Sequence, residues 1–77
     1  MSMNLAFTTR DGHFVEFPFQ TPTDLSYAVI NLRTTEAKLE LIENQIRKWG
    51  WDEEEISEMM SEVRIMMTDP TLELTVV

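Results

Sequence analysis

Residues 48–56, "KWGWDEEEI", mark the place where one helix stops and the next begins. Arg47 and Lys48 fall in a last helical turn, where cations face the negative end of the helix dipole. Gly50 is placed to take the left-handed conformation that closes a helix. Asp52 then caps a second helix, Glu55 three residues on completes the capping box, and Trp51 and Ile56 hold the spacing of a hydrophobic staple. Glu53 and Glu54 occupy the first turn, where each negative charge is worth about 0.3–1 kcal/mol. The acidic run is therefore punctuation between two helices before it is anything else.

Upstream, Thr21 reads as an N-cap, Pro22 as the first helical residue and Asp24 as the capping-box acid. Apolar residues recur at helical spacing at Leu25, Ala28, Val29 and Leu32, then at Leu39, Ile42, Ile46 and Trp49. Neither glycine nor proline interrupts this pattern, so it predicts one long helix over 22–49, about 40 Å in length. Its weak point is Arg33-Thr34-Thr35, where β-branched residues lower helix propensity and Thr35 offers a new cap. Downstream, Ile56, Met59, Met60, Val63, Met66 and Met67 share one face of a helix over 53–67, which Thr68-Asp69-Pro70 ends. Residues 71–77, "TLELTVV", alternate Leu72, Leu74 and Val76 with Glu73, Thr75 and Val77, the period of a strand.

The N-terminal part reads as a hairpin over 4–17. Leu5 and Phe7 alternate in "NLAFTTR", Asp11-Gly12 suits a two-residue turn with positive φ, and "HFVEF" returns. Pro18 has no N–H to donate, so the return strand ends there or lies at an edge. The chain thus predicts an α+β fold of order ββααβ. A three-stranded antiparallel sheet packs on a helical hairpin of one long and one shorter helix, all within one domain, 1–77.

Composition narrows the function. Fourteen acidic against six basic side chains give a formal charge of −8. That disfavours direct binding to nucleic acid, which takes clustered Lys and Arg, and binding to an anionic membrane surface. It favours a basic protein partner, such as the groove of a nucleic-acid-processing enzyme. Cysteine is absent and no apolar run approaches the roughly 20 residues of a membrane span. Met1-Ser2-Met3-Asn4 lacks the basic start and apolar core of a signal peptide, so a cytoplasmic location is expected.

Chemistry of its own is not expected. His13 is the one histidine. Asp11 lies two residues from it, but no sequence cue places a nucleophile nearby, as general-base catalysis requires. There is no phosphate-cradling glycine loop, and Asp52-Glu53-Glu54-Glu55 matches no calcium-loop spacing. The expectation is a non-enzymatic chain with no cofactor and no metal.

Two surfaces are left over once core and caps are assigned. On the 53–67 helix, Glu54, Glu58 and Glu62 repeat every four residues and repel one another, with Ile65 among them opposite the Ile56/Met60/Met67 stripe. Aligned acids around an apolar residue suit a contact patch, and Trp51, Glu54, Glu55, Glu58, Glu62 and Ile65 are its candidate residues. Carboxylates one turn apart lie about 6 Å from one another, comparable to phosphates along a DNA strand. In composition the chain resembles stand-alone acidic inhibitors of phage and mobile elements that occupy a nucleic-acid groove. The alternative is a homodimer or assembly subunit, which uses a second stripe on the long helix: Tyr27, Ile30, Thr34, Ala37 and Leu41.

Overall fold

A computed structural model describes residues 3–77. The element order is β1 (Leu5–Thr9), β2 (Phe14–Glu16), α1 (Thr23–Ile30), α2 (Thr35–Lys48), α3 (Glu53–Thr68) and β3 (Leu72–Val76). The strands form one open antiparallel sheet in the order β2-β1-β3. The fold is α+β, with three helices where the periodicity predicted two.

β1 is central because it is the most apolar strand: Leu5, Ala6 and Phe7 are all buried. Phe7 lies opposite Val15 on one side and Leu74 on the other. That register puts Leu5, Phe7, Val15, Phe17, Leu72, Leu74 and Val76 on one face, where they meet Leu25, Val29, Leu39, Ile42 and Val63 from the helices. The opposite face carries Phe14, Glu16, Thr8, Glu73 and Thr75 around the buried Ala6. Met59, Met60, Met66 and Met67 are half-buried and line the rim of the core.

The β1–β2 loop holds three residues, not two. Thr9 and His13 pair, Gly12 N–H donates back to Thr9 at 3.1 Å, and Gly12 takes φ +89°. A three-residue hairpin loop closes on one residue in the left-handed region, and Gly12 supplies it. The Asp11 carboxylate ties this loop together by accepting from the Thr9 hydroxyl.

The long helix over 22–49 is broken. α1 ends at Ile30 and α2 begins after Thr34, whose hydroxyl accepts from Ala37 N–H at 3.1 Å. The new cap is thus Thr34 and not Thr35. Lys38 completes the break by donating from Nζ to the carbonyls of Val29 (3.0 Å), Ile30 (3.3 Å) and Leu32 at the end of α1. A cation is well placed on the orphan carbonyls of a helix C-terminus. The deeper cause is length. Five-residue strands span about 17 Å, so an unbroken helix of about 40 Å overhangs the sheet. Folding back lets Leu25 and Val29 share one core with Leu39 and Ile42.

Thr21 is also not a cap. The N-cap position is Pro22, which makes no side-chain bond. Thr21 is buried, and its hydroxyl accepts from Leu5 N–H at 2.9 Å while lying 2.7 Å from the Ser26 hydroxyl. Ser26 in turn reaches the carbonyls of Met3 (3.1 Å) and Pro22 (3.0 Å). Carbonyls only accept, so the Ser26 hydrogen goes to one of them and Thr21 donates to Ser26. The relay answers a specific need. In the β1–β2 register Leu5 falls opposite Phe17, beyond the end of β2, and its N–H requires another partner.

The α2–α3 junction has the Gly50 closure and the Asp52 cap expected from "KWGWDEEEI", while the ring of Trp51 packs on Phe19. Gly50 takes φ +90°, Trp51 N–H donates to Ile46 O at 3.2 Å and Gly50 N–H to Arg47 O at 3.1 Å, the paired bonds of a Schellman motif. Asp52 caps α3 by accepting from Glu55 N–H at 2.9 Å. Both tryptophans pack edge-on to Phe19, with ring centroids 6.3 Å (Trp49) and 5.5 Å (Trp51) away. At the other end of α3, Asp69 accepts from the N–H and hydroxyl of Thr71 at 2.8 and 2.7 Å and turns the chain into β3.

Two substitutions test these links by urea denaturation. Thr21→Val keeps the shape but leaves Leu5 N–H unsatisfied, and is expected to cost about 1–3 kcal/mol, with Thr21→Ser recovering most of it. Lys38→Met keeps the apolar stem and strips the cation from the end of α1. A loss of about 1–2 kcal/mol is expected, and an unchanged midpoint would show that the break does not rely on that lysine.

Candidate functional site

The acidic candidates all lie on or beside α3. Glu54, Glu55, Glu58 and Glu62 are exposed, and Ile65 is 67% exposed. Ile56 and Val63, on the opposite face, are buried against the other elements. At about 100° per residue, Glu54 and Glu58 flank the direction of Ile65 within about 20°, with Glu62 and Glu55 further round. Among the described residues none of these four carboxylates takes part in an ion pair.

Three acids at the α2–α3 seam, Glu36, Glu43 and Glu53, are paired instead. Arg64, on the flank of α3 nearest α2, pairs with Glu36 at 2.7 Å. Arg47 of α2 pairs with Glu43 at 3.5 Å and also with Glu53 of the first α3 turn. A groove of about 400 Å³ between the two helices is lined by Glu43, Arg47, Glu53 and Arg64 with Ser57 and Met60. The ion-paired arginines thus lie on the α2 side of α3, and among the described residues the carboxylates around Ile65 enter no ion pair. The Arg64 guanidinium holds the Glu36 carboxyl below the usual range, first by hydrogen bonding and then by its charge.

Trp51 stands apart from this face. It is half-buried in the turn before α3, and its ring packs against Phe19. The second stripe is divided by the helix break. Tyr27 and Ile30 sit on α1, Ala37 and Leu41 on α2, and Thr34 is the exposed cap between them. Leu41 packs against the core, and Ile30 and Ala37 are half-buried. They do not form one continuous stripe, because the helix that was to carry them is two helices.

His13 lies 3.0 Å from the Asp11 carboxylate through Nδ1, with both side chains exposed. The Thr9 hydroxyl bond first, and the His13 contact second, hold the Asp11 carboxyl low. The cluster stitches the hairpin loop.

One exposed group was overlooked in the sequence. Phe14 is 65% exposed on the outer sheet face. The signal was present in "HFVEF", whose alternation sets Phe14 and Glu16 against Val15 and Phe17.

No family model, curated protein or solved structure matches the chain.

The Glu36–Arg64 pair makes an acid-limb prediction. A carboxyl whose folded pKa is depressed stabilises the fold above the unfolded pKa, and that stability is lost as pH falls through the folded value. Melting temperature is expected to drop as pH falls below about 4.3, the ordinary glutamate value. Arg64→Met should make the drop shallower without abolishing it, because Asp11 and Asp69 are also held low. Parallel acid limbs for the two proteins would show that the pair carries none of the dependence.

Proposed function

We propose that the chain acts without chemistry of its own, as an acidic binding module whose outer α3 face docks on a basic protein surface. The observation that carries this reading is Ile65: a large aliphatic left exposed on a helix whose opposite face is buried, among carboxylates that enter no ion pair among the described residues. Burying that side chain against a partner is worth about 1.5–3 kcal/mol. The surrounding Glu54, Glu55, Glu58 and Glu62 select for positive charge and speed encounter. Repulsion between acids four residues apart costs the free helix a few tenths of a kcal/mol per pair, which binding to cations removes.

The partner class that fits best is a nucleic-acid-processing enzyme with a cationic groove. The carboxylate spacing along α3 then substitutes for phosphates, and the chain inhibits by occupancy. Trp51, whose ring is engaged with Phe19, contributes at most the edge of such a contact.

The test compares capture from a host lysate by the natural chain, by Glu58→Lys/Glu62→Lys and by Ile65→Ser. Capture of a basic protein is expected to fall at least tenfold with the double reversal and several-fold with Ile65→Ser, and to weaken as salt rises. Release by added double-stranded DNA identifies the nucleic-acid groove. Equal capture by all three proteins removes the reading.

A further inference from the structure

β3 leaves an open edge. Asn4 and Val77 exchange both of their backbone bonds, at 2.8 and 2.9 Å, and the antiparallel register continues through Ala6–Thr75 and Thr8–Glu73. In such a ladder alternate residues face alternate sides. Glu73, Thr75 and Val77 therefore point their backbone groups at β1, and Leu72, Leu74 and Val76 point theirs away from the sheet. Leu72 N–H is satisfied by Asp69 O at 3.2 Å. Among the described residues, the N–H groups of Leu74 and Val76 and the carbonyls of Leu72, Leu74 and Val76 have no hydrogen-bond partner on that side.

The two edges of the sheet are treated differently. β2 is three residues long and is stopped by Pro18, two of the usual protections against edge pairing. β3 is five residues long, has no proline within it, and carries a single charge, Glu73. That glutamate sits on the outer sheet face, opposite Thr8, and does not guard the edge.

We infer that β3 is a docking edge for a second copy of this chain, pairing antiparallel with its own symmetry mate and joining two three-stranded sheets into one. Free backbone donors and acceptors at alternate positions call for an extended strand, and β3 is complementary to itself. A twofold axis through Leu74 sets Leu74 opposite its own copy, Leu72 opposite Val76, and Glu73 opposite Thr75. In that register, which overlaps the whole of Leu72–Val76, Leu74 exchanges both bonds with its copy and Val76 N–H reaches the Leu72 carbonyl, while Leu72 N–H stays with Asp69. An axis through Glu73 instead opposes two carboxylates, which is unfavourable. The apolar residues stay on the inner face and extend the core across the junction. α1 packs against β3 and adds a second layer. Ala28 lines the groove toward α2, so Ile30, about 200° round the helix, lies on the flank away from α2. Tyr27 is on that same outer side and is exposed. This interface is separate from the acidic face of α3 and does not depend on it.

The charge of −8 on each copy opposes association, so salt strengthens this contact, whereas it weakens binding to a basic partner. Sedimentation equilibrium is expected to give twice the 9.0 kDa chain mass at high concentration, with a dissociation constant that falls as salt rises. Amide exchange by NMR should show Leu74 and Val76 protected in the dimer and exposed on dilution. Thr75→Lys, which sets Lys against Glu73 of the other copy, should tighten the dimer about threefold to tenfold, and Thr75→Glu should loosen it by a similar factor. Asn44→Lys, on the exposed side of α2, controls for net charge. Circular dichroism confirms that each variant is folded. A 9.0 kDa species up to millimolar chain in high salt overturns the proposal. So do Thr75→Lys and Thr75→Glu shifting the constant in the same direction, or a dimer in which Leu74 and Val76 amides exchange as freely as in the monomer.

Discussion

The constraint behind the whole arrangement is the small size of the one apolar sheet face. Strands of three to five residues offer a platform about 17 Å long. The helical stretch that must cover it is more than twice that length if left straight. Every distinctive local feature follows from folding that stretch back: the Thr34 cap, the Lys38 ammonium seated on the end of α1, and the Glu36–Arg64 bridge between α2 and α3. A chain with no cysteine has no disulfide to hold such a fold. Directional polar links at the ends of elements do that work.

The buried relay from Leu5 through Thr21 and Ser26 belongs to the same economy. Ending β2 early at Pro18 limits pairing along that side of the sheet, but it leaves a donor of the central strand unmatched. Two hydroxyls then carry that bond into α1, and no buried side-chain polar atom among the described residues is left without a partner. The same logic makes the edge of β3 conspicuous, because there the bonds are not redirected.

Much of this was legible in the sequence, and the exceptions share a cause. The strands, the closing Gly50, the Asp52 cap and the apolar face of α3 are local features with local signatures, and each falls where its signature lies. The helix break was signposted at Arg33-Thr34-Thr35, but propensity alone weighs little against an uninterrupted periodicity. What decides it is the width of the sheet and the reach of Lys38, and neither is visible one residue at a time. Thr21 was misread for a similar reason: a threonine before a proline and an acid looks like a cap until Leu5, sixteen residues earlier, claims its oxygen. Of the candidate surfaces, the α3 residues could be placed from helical angle alone. The Tyr27–Leu41 stripe could not, since it presumed one axis. The β3 edge depends on which strand ends up outermost, and alternation within the strand does not encode that.

The aromatic ladder from Phe7 through Phe17 and Phe19 to the two indoles has a spectroscopic consequence. Both tryptophans of the chain are gathered at the α2–α3 turn around Phe19, on the other side of Asp52 from Ile65. Their ultraviolet emission thus reports on whether that corner is assembled. The polar side of α3 and the outermost strand are optically dark. Selective tryptophan emission therefore follows the folding of that corner, without any extrinsic dye.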